Sequence, residues 1–367
     1  MARLTRLQLI DFRNFAAADW TIGQTPVVVH GANGAGKTSL LEAISLLVPG
    51  RGLRGARLVE LARRAGGKVS AGWSVGGWFD RPGGAFCLKT GVRPDAPRQR
   101  CFVIDDEPVG NQAEIAGLLS CVWLTPQMEA LFLEPASGRR RFLDRLVATL
   151  EPGFARLLAA QGQVMAERLR LLRKGAAEPT WLNALEEQLA RKSVALAAMR
   201  QDYAAALNLA LAALPAPFPR AKLVLSCPVA ERLAKAPALS VETDLRDCLR
   251  AGREADREAG NTGAGVNAAD IDLRGAVRDH GAAEASTGER KALLVSVMLG
   301  QAAVLTRHRG AAPKLLLDEP MTHLDAARRH ALAETLLAYD GQAFLTGTDW
   351  DQFRGLAGRC GEIGLAG

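Results

Sequence analysis

The apolar residues of this chain follow a strand period near its start and a helix period in its middle. Residues 4–10 alternate apolar and polar side chains, which predicts a half-buried strand, and a second strand is predicted after a short turn. The apolar run at residues 26–30 predicts a short buried strand. Residues 39–48 follow as a predicted helix, which Pro49 and Gly50 end.

The middle of the chain is predicted to change from short strands to long helices. Gly and Pro turns separate predicted strands at residues 70–79, 85–89 and 100–104, which indicates an antiparallel sheet. Two helices are predicted at residues 154–173 and 180–214. The second carries apolar residues at three- and four-residue steps, with Lys192 in one of the positions, as a short antiparallel coiled coil does: Leu182, Leu185, Leu189, Leu196, Met199 and Tyr203. Residues 251–270 are charged and then rich in Gly, Asn and Ala, which predicts a loop or a poorly ordered connection.

Composition narrows the class of protein. The 367 residues include 48% apolar side chains and carry a formal net charge of +7, which is typical of a folded basic protein and compatible with a polyanionic partner. No stretch approaches the roughly 18 apolar residues of a membrane helix, so we expect a cytoplasmic protein without a membrane partner. The six cysteines form no CxxC pair, which disfavours a metal site or a disulfide framework.

The sharpest motif is GANGAGKT, which matches the phosphate-loop pattern at every fixed position. Its residues are Gly31, Ala32, Asn33, Gly34, Ala35, Gly36, Lys37 and Thr38. A predicted strand precedes it and a predicted helix follows, so backbone N–H groups and a helix start point at one place. We expect a nucleotide there, with Lys37 on the β- and γ-phosphates and Thr38 on Mg²⁺.

Two carboxylates follow a second buried strand, predicted at residues 314–317. In a chain with a phosphate loop, Asp318 is expected to hold Mg²⁺ and Glu319 to orient and deprotonate the attacking water. Gln127, at the end of the strand predicted at residues 121–124, is a candidate for the Mg²⁺ shell or the water. The last strand ends near Thr346 and Thr348, where a hydroxyl either senses the γ-phosphate or belongs to an ordinary turn.

Residues 286–289, STGE, form a capping box in front of an apolar helix. The pattern is typical of an ordinary helix cap, and a helix start of this kind also binds anions. Basic residues gather at residues 51–64 and in the helix predicted from residue 138. The first group either touches phosphates or forms a solvated helix face, and the second either touches phosphates or forms surface salt bridges.

Read together, four motifs resemble those of the ABC-type ATPase superfamily: GANGAGKTSLLEAI, STGERKALL, LLLDEP and the HLD that follows. The opening LTRLQLIDFRNF, the WLTPQ before RRRFLDR and the closing GQAFLTGTD are similar to the RecF family of bacterial recombination proteins. The resemblance implies an α/β fold, with a P-loop NTPase head of mixed sheet and flanking helices, an antiparallel β subdomain and an inserted helical arm. It places the ATPase lobe at residues 1–128 and 275–367 and the helical lobe at residues 129–274.

The resemblance also implies the roles of particular residues. The chain is expected to dimerise when it binds ATP, so that Ser286 and Gly288 of one subunit cap the γ-phosphate held by the other. Gln127 takes the Q-loop position, with Asp318 and Glu319 as the Mg²⁺ and water residues and Asp325 as the D-loop carboxylate. The family's upstream Gly-Pro-His-Arg corresponds to residues 263–268 here, where the His and Arg are missing.

By the same resemblance, the partners are DNA with gaps or single-strand to double-strand junctions, and proteins of the RecR, RecO and RecA types. The implied role is to help RecA assemble in DNA repair, replication restart and SOS induction, with slow ATP hydrolysis driving release. Two alternatives are the ATP-binding subunit of an ABC transporter and an SMC-like structural ATPase. The 248 positions between Thr38 and Ser286 disfavour the first, and a short arm without a hinge disfavours the second.

Overall fold

A computed structural model describes residues 2–175, 178–216, 218–219, 221–275 and 281–365. The chain divides into two compact units. The first contains Met1–Glu129, Leu214–Pro219 and Ser286–Gly367, and the second contains Ala130–Ala213 and Arg220–Ala285. Among the described residues, no helix combines the length and the apolar character that crossing a membrane requires.

The strands, in chain order, are β1 (Arg3–Phe12), β2 (Phe15–Thr21), β3 (Val27–Gly31), β4 (Arg64–Ala65), β5 (Lys68–Val69), β6 (Trp73–Asp80), β7 (Phe86–Val92), β8 (Arg100–Ile104), β9 (Glu107–Pro108), β10 (Cys121–Leu124), β11 (Ala221–Ser226), β12 (Asp270–Gly275), β13 (Lys314–Leu317), β14 (Ala343–Gly347) and β15 (Gly361–Leu365). The helices are α1 (Lys37–Leu46), α2 (Leu58–Leu61), α3 (Gln112–Leu118), α4 (Ala136–Leu150), α5 (Pro152–Lys174), α6 (Pro179–Ala212), α7 (Pro228–Leu233), α8 (Ala238–Ala251), α9 (Arg253–Ala259), α10 (Thr287–Arg309) and α11 (Ala326–Leu337).

The first unit contains two large sheets and the two-stranded sheet of β4 and β5. Six antiparallel strands lie in the order β2-β1-β6-β7-β8-β9, and five parallel strands lie in the order β10-β13-β14-β3-β15. In β1 the buried residues Leu4 and Leu7 are three positions apart, because the pairing with β6 shifts between Leu4 and Arg6. The predicted alternation of buried and exposed residues over residues 4–10 is therefore interrupted, because a bulge moves the side chains that follow it to the other face of the sheet.

Helix α1 packs against both sheets, contacting β6 on one side and β3, β13 and β14 on the other. Its Leu40, Leu41 and Ile44 are fully buried in the core, together with Phe79 of β6 and Phe344 of β14. Because α1 is buried nearly all round, it lacks the single apolar stripe of a surface helix. Its start is thereby fixed at the carboxyl end of the parallel sheet, where β3, β13 and β14 also end.

The second unit is built around α6. The predicted coiled-coil positions Leu182, Leu185, Leu189, Leu196 and Tyr203 are buried. However, α6 packs against α7, α8 and the two-stranded sheet of β11 and β12 as well as against α5. It is therefore the central helix of this unit, and its apolar residues contact more than the single partner helix of a coiled coil. The loop predicted at residues 251–270 is wrong for residues 253–259, which form α9, and for the short 3-10 helix Val266–Ala268. Residues 260–265 between them are a loop.

Both basic segments differ from a plain charged helix face. Residues 51–64 are mostly turns with the single short helix α2, so the solvated-helix interpretation is wrong. In α4, Arg139 pairs with Asp270 through two bonds of 2.8 and 2.6 Å, and Arg140 donates to the Ala269 carbonyl at 2.8 Å. The Arg139 guanidinium also lowers the pKa of Asp270. These two arginines therefore hold α4 onto β12.

Candidate functional site

The phosphate loop forms a tight turn between β3 and α1. Gly36 precedes the helix with φ of +102°, and Gly34 has φ of +85°. A side chain at Gly36 would meet the Asn14 side chain at 2.5 Å and the Phe15 ring at 2.6 Å, so the position needs glycine for space as well as conformation. The crest of the loop, residues 32–34, is exposed.

Lys37 is buried and its ammonium group lies across the loop. Its Nζ donates hydrogen bonds to the carbonyls of Gly31 at 2.8 Å and Ala32 at 3.0 Å. The first amides of α1 have no carbonyl partner within the helix and carry the positive end of its dipole. The loop thus gathers an ammonium group and outward backbone N–H groups at one point, which is the chemistry that an anionic group requires.

Asp318 and Thr38, which are 280 positions apart in sequence, meet at the start of α1. The Thr38 hydroxyl donates to Asp318 Oδ1 at 3.0 Å, and the Asp318 side chain is almost fully buried. The two residues meet because β3 and β13 are both parallel strands of one sheet, with only β14 between them. Parallel strands bring the loops at their carboxyl ends to the same edge.

Thr346, at the end of β14, joins the two acidic positions. Its buried hydroxyl donates to Asp318 Oδ1 at 2.6 Å and accepts the Glu319 N–H at 2.9 Å. Glu319 itself has φ of +51°, a conformation that a non-glycine residue keeps only when its surroundings hold it. Thr348 is exposed two residues later. Of the two candidate threonines, Thr346 is therefore the one that lies at the site.

Replacing Thr346 by valine is expected to lower the free energy of unfolding by about 1–3 kcal/mol, because a buried carboxylate and a backbone N–H each lose a partner. Urea unfolding monitored by circular dichroism measures this change. Thr348→Val is the matched control and is expected to leave the unfolding midpoint in place. If both variants lose the same free energy of unfolding, the hydrogen bonds of the Thr346 hydroxyl do not stabilise the fold.

Gln127 lies on a 3-10 helix, Pro126–Leu133, that follows β10. Leu124 at the end of β10 pairs with Leu317 at the end of β13, so Gln127 belongs to the same edge of the sheet as Asp318. Its side chain is exposed. The structure thus places Gln127 beside the site by topology and describes no bond that joins it to Thr38 or Asp318.

Ser286 and Gly288 lie at the start of α10. The Ser286 hydroxyl accepts the Glu289 N–H at 3.3 Å and donates to Glu289 Oε2 at 2.9 Å, so the predicted capping box is formed. A side chain at Gly288 would approach the His323 carbonyl oxygen to 2.6 Å. Glycine at this position therefore allows the start of α10 to touch the turn that follows β13.

The turn after β13 is held by its own contacts. Asp325 caps α11, where its Oδ1 accepts the Arg328 N–H at 2.8 Å. His323 has φ of +64°, and its Nδ1 lies 3.7 Å from Glu129 Oε2. The other Glu129 oxygen pairs at 2.9 Å with the buried Lys291 of α10. Asp325 thus has a structural role in the single chain, and Glu129 links α10 to this turn.

Several residues that hold the site were missed by the sequence analysis. Asn14 in the β1–β2 turn donates through Nδ2 to the Ala35 carbonyl of the phosphate loop at 3.2 Å. Arg13 beside it forms two 2.7 Å bonds to the fully buried Glu42 of α1. At the far end of α1, Arg100 donates to carbonyls including that of Val48 at 3.2 Å, and its burial lowers its pKa to about 10.

These features define a class of protein. A parallel sheet with a phosphate loop and an acidic strand, an antiparallel sheet across α1 and a helical unit inserted before α10 make the fold that of an ABC-type ATPase head. Two solved structures share it: RecF-ATPrS, described as a recombination mediator of the RecFOR pathway, has a TM-score of 0.82 at 21% identity and covers 96% of this chain and 94% of its own. RecF-ATP of the same pathway has a TM-score of 0.79 at 22% identity, covering 95% and 94%.

The sequence comparisons specify the family. The family model described as RecF/RecN/SMC N terminal domain matches residues 3–356. The "DNA replication and repair protein RecF" of Mesorhizobium japonicum is 40% identical over 97% of this chain and 94% of its own length. The protein of the same name from Caulobacter sp. strain K31 is 41% identical, covering 99% and 98%. The chain belongs to the RecF family, as its motifs predict.

Proposed function

We propose that this chain is an ATP-dependent DNA-binding recombination mediator. It binds ATP and Mg²⁺ at the phosphate loop, dimerises when ATP is bound and binds gapped or junction DNA. It works in the cytoplasm with proteins of the RecR, RecO and RecA types, and slow ATP hydrolysis drives its release from DNA. The names of its relatives, which are DNA replication and repair proteins, support this role.

The observation that carries the nucleotide site is the meeting of Thr38, Asp318 and Thr346. Thr38 Oγ1 and Asp318 Oδ1 are 3.0 Å apart. Adjacent ligands of six-coordinate Mg²⁺ at about 2.1 Å from the metal are also about 3.0 Å apart, and oxygen is the donor that Mg²⁺ prefers. The residues therefore fit the ion, with Thr38 and Asp318 as its protein ligands. A bound Mg²⁺ supplies positive charge against the β- and γ-phosphates.

The remaining roles follow from the chain's own groups. Lys37 exchanges its two loop carbonyls for phosphate oxygens, which accept stronger, charge-assisted hydrogen bonds. Glu319 orients the attacking water and takes its proton, and Thr346 positions Glu319 through the backbone N–H. Gln127 completes the shell around the ion or the water from the neighbouring strand.

The start of α10 is proposed to work across the dimer. Ser286 and Gly288 would cap the γ-phosphate bound by the partner, with Asp325 beside them. In the single chain the contacts of this helix start are with Glu289 and His323. In the proposed dimer, the γ-phosphate of the ATP bound by the partner subunit is the anion that the exposed start of α10 contacts. The ATPase lobe we propose is residues 1–128 and 275–367, and the helical lobe is residues 129–274. These bounds differ from the two compact units at residue 129, at residues 214–219 and at residues 275–285.

The transporter alternative has less support. Its expectations, a compact head and a membrane protein as partner, find no support in the comparisons, which match RecF proteins over nearly the whole length. The SMC-like alternative shares the family model. The length of the helices favours the recombination mediator over the SMC-like ATPase, which needs a long coiled coil. Helices α5 and α6 are only 23 and 34 residues long.

Binding of the full chain to a gapped duplex, with ATP and with ADP, tests the proposed function. The wild type is expected to bind tightly only with ATP, while Lys37→Ala and Ser286→Arg are expected to lose that binding. Lys37→Ala removes the charge on the phosphates, whereas Ser286→Arg leaves ATP binding in place and blocks the start of α10. Sizing chromatography on the same samples measures dimerisation.

The two variants separate the two halves of the proposal. If Ser286→Arg still dimerises and binds DNA, the cap does not act across subunits. If the wild type binds no DNA with either nucleotide, the recombination role is wrong.

A further inference from the structure

Most of the net charge of this chain is concentrated in one short segment. Residues 51–68 contain six basic side chains, Arg51, Arg54, Arg57, Arg63, Arg64 and Lys68, against a single acidic one, Glu60. The net charge of these 18 residues is therefore +5, and that of all 367 residues is +7. A concentration of this kind produces a strong local field for a polyanion.

The basic side chains differ in how they are used. Arg57 pairs with Glu60 at 2.7 Å, and Arg54 lies 3.7 Å from the buried Glu42. Within the described ranges, no ion-pair partner is found for Arg63, Arg64 or Lys68. Arg64 and Lys68 are exposed. Their charges are thus available to a ligand, while the other two stabilise the fold.

Arg64 and Lys68 belong to a small antiparallel hairpin, which we call the basic hairpin and define as residues 63–69. Strand β4 pairs with β5 so that Arg64 lies opposite Val69 and Ala65 opposite Lys68. Gly66 and Gly67 form the tip and are exposed. A tip without side chains allows the backbone N–H groups and the flanking cations to approach a phosphate closely.

Backbone hydrogen bonds attach the basic hairpin to the β1–β2 region, which also contacts the phosphate loop. The Arg63 N–H donates to the Asp11 carbonyl at 2.7 Å, and the Arg13 N–H donates to the Leu61 carbonyl at 2.8 Å. In the same β1–β2 turn, Asn14 donates to the Ala35 carbonyl. Asp11 near the end of β1 and two residues of the turn after it, Arg13 and Asn14, therefore fix both the base of the hairpin and the loop expected to hold ATP.

We propose that the basic hairpin is a contact for the phosphate backbone of duplex DNA, placed next to the nucleotide site by the β1–β2 turn. This inference rests on the proposed function and adds the surface. Residues 51–69 contain no aromatic side chain. Single-strand binding sites rely on aromatic side chains on which bases stack, whereas backbone contacts to a duplex need only cations and N–H groups. The chemistry of the hairpin therefore favours duplex over single-stranded DNA.

The salt dependence of duplex binding tests this assignment. The wild type is compared with Arg64→Ala/Lys68→Ala and with a control, Arg307→Ala/Arg354→Ala, which removes two exposed charges elsewhere in the same unit. Binding of the ATP-bound full chain to a plain duplex is measured from 50 to 200 mM salt. Loss of two phosphate contacts lowers the magnitude of the slope of log K against log salt concentration by about 1.8. Over the fourfold rise in salt, the DNA affinity of the hairpin variant should therefore fall about 12-fold less than that of the wild type.

Each outcome is decisive. The control is expected to keep the wild-type slope, and all three proteins are expected to bind ATP equally, because neither pair touches the nucleotide site. A wild-type slope in the hairpin variant overturns the assignment. An equal reduction in the control also overturns it, since overall charge then explains the effect. If the wild type binds no DNA in any nucleotide state, the proposed function fails and the hairpin assignment fails with it.

Discussion

Glu319→Gln is expected to lower ATP turnover about 10²- to 10⁴-fold while ATP binding stays intact, because a positioned general base contributes roughly this factor. Glutamine keeps the size of the side chain and removes its ability to accept a proton. The Thr346 hydroxyl bonds the backbone N–H of residue 319, so the turn is expected to keep its conformation. Release of inorganic phosphate measures turnover, and equilibrium titration with ATP measures binding.

The same variant is expected to accumulate as the ATP-bound dimer, because release follows hydrolysis. Sizing chromatography after incubation with ATP and Mg²⁺ detects this dimer. Glu334→Gln is the matched control: it makes the same change on α11, where Glu334 pairs with Arg359 on the surface. Wild-type turnover in Glu319→Gln would remove Glu319 from the role of base, and slowed turnover in both variants would point to a general loss of stability.

The parts of the site that the sequence predicted are those that follow a buried strand. The strands β3 and β13 are short, and their apolar residues are buried. The phosphate loop with Lys37 follows β3, and Asp318 directly follows β13. A parallel sheet brings the ends of such strands together, so proximity follows from topology alone. The predicted meeting of these residues needed no knowledge of side-chain conformation.

The missed parts depend on contacts between distant segments. Asn14 stands in a polar turn, and nothing near it in sequence indicates that it bonds the Ala35 carbonyl. Arg13 and Glu42 are 29 residues apart and meet only because α1 is covered by the antiparallel sheet. The choice of Thr346 over Thr348 required the strand register, since residues two apart on a strand share a face only while the strand continues. The sequence FRNF at residues 12–15 contributes to the resemblance to the RecF family, but it does not by itself indicate that Arg13 and Asn14 contact α1 and the phosphate loop.

The helical unit was predicted less well because its charged residues are buried. Arg168 of α5 is fully buried, as is Glu186 of α6, and they pair at 3.0 Å. Asp256 of α9 pairs with Arg168 at 2.7 Å, and the Leu249 carbonyl at the end of α8 accepts from it at 2.6 Å. A charged stretch is ordinarily expected to face water. Here the charges join four helices, which explains why residues 253–259 form the helix α9.

Arg168→Met is expected to lower the free energy of unfolding by about 3–5 kcal/mol, because it leaves two carboxylates and a carbonyl inside the unit without their shared partner. Arg253 still pairs with Glu186 at 2.5 Å, whereas among the described residues the Asp256 carboxylate keeps the Gly263 N–H at 2.8 Å as its one remaining partner. Urea unfolding of the full chain, monitored by the helical circular-dichroism signal, measures the loss.

Arg170→Met is the control for this prediction, since Arg170 lies on the same helix one half-turn away. Arg170 is exposed and pairs only with Glu167 on the surface. Solvent screens such a pair, so its removal is expected to leave the unfolding midpoint unchanged. The comparison isolates burial, because both variants remove one arginine charge from α5. If the two midpoints shift alike, the cluster around Arg168 is no more than a solvated salt bridge, and the packing of α8 and α9 must hold the unit together without it.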